Sequence, residues 1–233
     1  MDKGGLGMDD GGFSVFEETM QTQGMFITFE GGEGAGKSTQ IGLLAESLRA
    51  EGCPVEILRE PGGTAAGERM RALLQHEEAG QKLVAEAELL LFAASRAQLV
   101  RERIRPALAA GTFVICDRFL DSTTVYQGVG RALPSEQVAM INAFAVGETR
   151  PEVTFLLDLP VEVARERMLS QGREADRIEK EPLDFHEAVR AGYLALAAAE
   201  PDRVFRVDAT QSEEEIADAI RAALSERRHG LFS

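Results

Sequence analysis

Eight consecutive residues, Gly31-Gly32-Glu33-Gly34-Ala35-Gly36-Lys37-Ser38, set flexible backbone, one ammonium group and one hydroxyl in the order G-x-x-x-x-G-K-[ST]. The chemistry open to such a run is polyphosphate binding. Its glycines let successive backbone N–H groups turn inward at phosphate oxygens. Lys37 supplies a point charge for the β- and γ-phosphates, Ser38 offers an oxygen to Mg2+, and Thr39 extends the cradle. Two further polar clusters follow apolar runs. Asp117-Arg118 pairs a carboxylate able to organise Mg2+ and its waters with a guanidinium able to clamp a phosphate. Arg59-Glu60-Pro61-Gly62-Gly63-Thr64 sets an arginine before a rigid turn. Arg59 and Arg118 together would form a second anion site, which points to an acceptor that is itself phosphorylated. Arg59 reads equally well as half of a structural ion pair.

These groups need elements to position them. Residues 25–29 are apolar, β-branched and aromatic, as a strand requires, and 38–50 carry Ile41, Leu44, Ala45 and Leu48 at helical spacing. Strand, glycine-rich turn and helix make the run at 31–38 a P-loop, with the helix N-terminus favouring an anion. Further strands are predicted at 55–59, 112–116, 153–159 and 204–207. Helices are predicted through Met70, Leu73 and Leu74 with Thr64 as N-cap, and at 84–110, 134–146, 161–169, 183–200 and 212–228. Pro106 should divide or bend the long one near its end, and Ser212 with Glu215 has capping-box spacing. Segment 170–182 is polar, charged and irregular. Five strands alternating with helices predict an α/β fold, a five-stranded parallel sheet with helices on both faces, and the ligand site belongs at the carboxyl edge of its strands.

Composition narrows the function classes. At 233 residues and 44% hydrophobic, the chain can bury one good core. The formal net charge of -14 argues against a general nucleic-acid binder, so any phosphate site must be built from locally converging Lys and Arg. No run approaches the ~18 apolar residues of a membrane span, and no basic segment precedes an apolar one as in a secretory signal. Cys53 and Cys116 lack metal-ligand spacing and read as buried free thiols in a reducing, cytoplasmic setting. Residues 1–24 are rich in Gly, Asp, Glu and Gln, and read as a disordered or non-native extension ahead of a kinase domain at 25–233.

Five motifs in order resemble those of the thymidylate (dTMP) kinases: Phe-Glu-Gly-x-Glu-Gly-Ala-Gly-Lys-Ser-Thr at 29–39, Arg-Glu-Pro-Gly-Gly-Thr at 59–64, Leu-Leu-Phe-x-Ala-x-Arg at 90–96, Asp-Arg-x-x-x-Ser-Thr-x-x-Tyr-Gln-Gly at 117–128 and Asp-Arg-Ile-Glu at 176–179. The resemblance spans 25–228 and implies a P-loop NTPase fold, transfer of a phosphoryl group from ATP to dTMP with Mg2+, and a homodimer through helices near 84–110 and 134–146. It implies that Phe92 stacks on thymine, against a simpler reading as core, and that Arg96, one turn on, hydrogen-bonds the base carbonyl. It makes Thr123 a reader of the base's N3 edge, Tyr126 a wall that excludes a 2′-hydroxyl, and Glu33 a neighbour of the acceptor's 3′-hydroxyl. Segment 170–182 resembles a mobile lid whose Arg173 and Arg177, with Arg167 nearby, neutralise the transferred phosphate. A solvated charged loop is the alternative there. Two other functions stay open: a kinase with a different acceptor, and a GTP-dependent switch, against which stands the lack of an Asn-Lys-x-Asp motif.

Overall fold

The structure is a computed structural model that describes residues 24–76, 78–170, 176–228 and 231–232. Arg173, and all of the 1–24 extension except Gly24, lie outside these residues. Five parallel strands form one sheet in the order β2-β3-β1-β4-β5, with β1 at Phe26–Glu30, β2 at Val55–Arg59, β3 at Phe113–Asp117, β4 at Val153–Asp158 and β5 at Val204–Asp208. Nine helices connect the described strands: α1 (Lys37–Ala50), α2 (Ala65–Gln75), α3 (Ala85–Leu99), α4 (Arg105–Ala109), α5 (Leu120–Thr123), α6 (Ser135–Val146), α7 (Val161–Ser170), α8 (Leu183–Ala199) and α9 (Glu213–Arg227). Both faces of the sheet are covered, so its central strands are buried along nearly their whole length rather than on alternate residues. Ile27, Phe29 and Ile115 pack with α1 and α9 on one face. Phe26, Val114 and Cys116 point the other way, onto Leu99, Ile104 and Val146. Cys53 and Cys116 are free and buried, in these two different clusters.

The helix caps follow the sequence. The Thr64 side chain accepts the Gly67 N–H at 2.9 Å, and Ser212 and Glu215 close a capping box at the start of α9. Pro106 divides the long helix rather than bending it. The long helix widens into a π turn at Val100–Ile104, where the Arg105 N–H reaches the Val100 carbonyl, and resumes as α4 with Pro106 in its first turn. A wider turn just before the proline accommodates a residue that has no N–H to give. The stretch after Phe119, to which no regular element was assigned, is helical: α5 runs into a π turn at Thr124–Gly130. Two threonines, two valines and two glycines give it poor helix propensity. Its stability comes instead from burial of Val125 and Tyr126 against Val189 and Tyr193 of α8. All five strands end on an ionisable residue, Glu30, Arg59, Asp117, Asp158 and Asp208, so the carboxyl edge of the sheet is a row of acidic and basic side chains.

Candidate active site

The P-loop forms where the sequence predicts it, because its glycines take conformations that a side chain would forbid. Gly31 has φ 131, and a Cβ there would lie 2.4 Å from the Leu157 carbonyl oxygen. Gly34 has φ 70, and its Cβ would crowd the Ala164 carbonyl at 2.9 Å. The helix that follows has no side-chain cap and no acidic residue in its first turn, which leaves its N-terminal N–H groups for an anion. Lys37 curls back over the loop and donates to the Gly32 carbonyl at 2.9 Å and the Gly31 carbonyl at 3.3 Å. Burial, and then the nearby Arg118, lower its pKa below the ordinary 10.5, while Glu33, Asp117 and Glu30 oppose the shift. Ser38 and Thr39 are exposed at the mouth.

A cleft of about 1310 Å³ opens in front of this loop. It is lined by Glu33 through Gln40 of the P-loop, Arg59 and Glu60 beyond β2, Asp117 and Arg118 beyond β3, and Arg177. Strand register explains the convergence, since Asp117 pairs with Phe29 on one side and Arg59 on the other. Arg167 of α7 also lines it, its Nη2 donating to the Ala209 carbonyl at 3.1 Å, and so does Arg71 of α2, which nothing in the sequence singles out. Arg71 donates to the Pro61 carbonyl at 3.0 Å, and burial followed by Arg59 lowers its pKa.

Arg118 is the hub. It has φ 68, in the left-handed region, and its Nη2 lies 2.5 Å from the Glu33 carboxylate. Its guanidinium sits over the Tyr126 ring, 5.1 Å from the centroid. Against the cost of burial, Tyr126, Glu33, Tyr193 and Asp117 raise its pKa well above the ordinary 12.5, so it is a permanent cation. Burial pushes the Tyr126 phenol up to about 12. Tyr126 and Glu33 also line a second, smaller cavity of 340 Å³ between the P-loop, α7 and α8.

The remaining predicted residues divide into those joined to this hub and those held apart. Arg96 does not line the cleft: it is 1% exposed and serves as a buried knot. Its Nε donates to Glu60 Oε2 at 2.7 Å, Nη1 to Asn142 Oδ1 at 2.8 Å, and Nη2 to Thr123 Oγ1 at 2.9 Å and the Phe119 carbonyl at 3.2 Å. One N–H of its five therefore remains for an incoming carbonyl. Thr123 is buried against it, and Phe92 is half-buried on α3, outside the large cleft. Glu60 keeps one oxygen, Oε1, buried with no hydrogen-bond partner, and burial lifts its pKa from the ordinary 4.5 to about 7 despite Arg96. Arg59 is bidentate to Glu68 at 2.9 and 3.0 Å, with both side chains about half exposed. Arg177 donates to the Leu74 carbonyl at 2.9 Å and to Glu88 at 2.6 Å. Its guanidinium is thus tied to α2 and α3 while the residue lines the cleft. Glu88 also takes Gln127 at 2.8 Å and Arg131 at 3.2 Å. Against the cost of burial, Arg131, Gln127 and Arg177 hold its pKa below the usual range.

The family model for thymidylate kinase matches residues 29–220. The chain is 51% identical over 203 residues to a thymidylate kinase of Synechococcus sp. (strain JA-3-3Ab), covering 87% of this chain and 96% of that one. With a thymidylate kinase of Desulfovibrio desulfuricans it shares 50% over 217 residues, 89% of this chain and 100% of the other. The crystal structure of thymidylate kinase from Ehrlichia chaffeensis superposes with a TM-score of 0.69 at 32% identity, over 86% of this chain and 98% of that one.

Proposed function

The chain belongs to the thymidylate kinase family, and from that premise we propose how its site moves the γ-phosphoryl group of ATP onto dTMP to give ADP and dTDP. The reading rests on Arg118. This single cation is held between Glu33 of the phosphate loop and the Tyr126 ring, so it stands where a donor's phosphates and a nucleotide acceptor would meet. An oxygen of the acceptor's 5′-phosphate, already anionic at neutral pH, attacks the γ-phosphorus as the bond to the β–γ bridging oxygen breaks. No strong base is needed, so the protein works by alignment and by neutralising charge.

P-loop N–H groups and Lys37 hold the triphosphate, while Arg118 bridges donor and acceptor oxygens. Ser38 and Asp117 line one cleft and are hard oxygen donors. Among the described residues, no group of three or more His, Cys, Asp or Glu is placed to hold a metal alone. That suits Mg2+, which keeps several waters and takes its other ligands from substrate phosphates. When bound there, Mg2+ would neutralise charge on the triphosphate. Phe92, Arg96, Thr123 and Tyr126 form the thymidine side, with Phe92 against the base and Tyr126 beside the sugar. Glu33 lies near the acceptor's 3′-hydroxyl, and Arg59 and Arg71 meet the acceptor phosphate. Arg177, and Arg173 within the same lid segment, would complete the charge once Arg177 leaves Glu88.

Residues 25–233 act as one kinase unit in the cytoplasm, where two buried thiols stay reduced. No helix among the described residues is long and apolar enough to cross a membrane. Exposed Leu90 on α3, with Met140 and Phe144 on the adjacent α6, supports a homodimer through that face, since Phe144 is 84% exposed. The test of function is an ADP-release assay with ATP, Mg2+ and a panel of acceptors: dTMP, dUMP, dAMP and thymidine. Transfer should be fastest to dTMP. An idle dTMP beside an active alternative would overturn the assignment.

A further inference from the structure

Glu30, the last residue of β1, is fully buried, yet no step above uses it. A carboxylate withdrawn from water costs roughly several kcal/mol unless donors replace that water. Four do. The Phe119 and Ser122 N–H groups donate to Oε1 at 2.8 and 3.2 Å, and the Ser122 hydroxyl and Tyr193 phenol donate to Oε2 at 2.6 and 2.7 Å. Every one of these donors belongs to the surroundings of Arg118. Phe119 follows it in the chain, and its Nη1 donates to Ser122 Oγ at 3.2 Å and to the Tyr193 hydroxyl at 3.3 Å. Arg118 itself holds a left-handed φ of 68, which is strained for a non-glycine residue and persists only where its neighbours enforce it. The enforcement is visible on both sides: the Arg118 N–H is tied to the Phe29 carbonyl at 2.9 Å, and the next N–H is tied to Glu30.

We propose that Glu30 is the positioning residue for Arg118. Its carboxylate fixes the strained turn at 118–122, and through Ser122 and Tyr193 it sets the direction in which the guanidinium leaves the sheet toward the reacting phosphates. The inference rests on the role given to Arg118 above and deepens it. Glutamine has the same shape but cannot serve: its Oε1 can take the two backbone N–H groups, whereas its amide nitrogen accepts from neither hydroxyl.

The test is a double-mutant cycle of Glu30→Gln, Arg118→Ala and the pair, with steady-state kinetics in ATP and dTMP and a melting curve for each. Glu30→Gln should lower kcat by about 10- to 100-fold, the scale of an ångström's misplacement, while the KM for ATP stays within about twofold. In the Arg118→Ala background it should cost less than about twofold more. The same fold-loss in both backgrounds would make Glu30 a core residue with no tie to Arg118, and would overturn the proposal. Full turnover by Arg118→Ala alone would remove the reading beneath it as well. Should Glu30→Gln show no cooperative melting, Tyr193→Phe decides. It deletes one donor to Oε2 and should lower kcat about threefold with Arg118 present, and by nothing measurable without it. Equal losses there would again overturn the assignment.

Discussion

Glu60→Gln should reverse part of the pH dependence of stability. The Glu60 side chain is almost fully buried and lies 2.7 Å from Arg96, but its Oε1 has no partner, and burial outweighs the arginine to lift its pKa from 4.5 to about 7. A carboxyl whose pKa is raised by folding binds its proton more tightly in the native state. Its contribution is therefore complete below 4.5 and is lost as pH rises through 7. The rise from 4.5 to about 7 is worth about 3 kcal/mol in all, most of which falls between pH 5 and 8. Glutamine copies the shape of the protonated acid and does not titrate, so remote groups cancel in the difference between the two proteins. Urea unfolding at half-unit pH steps should show the variant gaining about 2–3 kcal/mol on the wild type from pH 5 to 8. Parallel profiles would refute the argument. A wild type that gains on the variant would show that attraction to Arg96 defeats burial.

Three other perturbations address the site and the assembly. Lys37→Ala should cut turnover by about 100-fold or more with the melting midpoint little changed, because the side chain's hydrogen bonds are only to the carbonyls of its own loop; wild-type turnover would contradict its role. Phe92→Ala should weaken dTMP binding about three- to tenfold by calorimetry, the worth of one aromatic stack, and unchanged affinity would remove that contact. Phe144→Asp should convert a dimer to monomers in sedimentation, because the substituted residue is 84% exposed on α6; unaltered sedimentation would move the interface elsewhere.

How much of this was legible in the sequence depends on the distance over which each feature is built. The P-loop, the Thr64 cap and the box at Ser212 are made by residues within a few positions of one another, and their side-chain chemistry declares them. The strands were equally plain, because a parallel strand covered on both faces is a short apolar run. Arg96 was found as a ligand candidate but not as a buried knot, since Glu60 and Asn142 come to it from 36 and 46 residues away. Glu30 was invisible for the same reason: Tyr193, 163 positions on, reaches it only after α8 docks beneath the π turn at Thr124–Gly130. That turn was itself hidden, because propensity speaks against a helix there and only tertiary packing speaks for it.

The long-range pairs also explain how a chain of net charge -14 can hold two polyanions. Three cations facing the cleft are parked on carboxylates, Arg59 on Glu68, Arg118 on Glu33 and Arg177 on Glu88, while Lys37, Arg71 and Arg167 donate to backbone carbonyls. A phosphate that arrives exchanges one anion for another, and no bare guanidinium has to be made in advance. The cost of each exchange scales with burial. The Arg59 pair, about half exposed on both sides, is worth ~1 kcal/mol or less and yields readily. Arg177 is 15% exposed and its partner 2%, so leaving Glu88 costs more and requires a strong competing charge. A triphosphate held by the P-loop would supply such a charge in this cleft. The arginine that would complete the donor site is therefore the one least able to move before the donor is in place. Arg96 and Glu60 lie at the far end of this scale, 1% and 3% exposed, where separation would cost about 3–5 kcal/mol. Arg96 consequently stays where it is through the cycle, and its one remaining N–H suits it to read a neutral carbonyl rather than chase a phosphate.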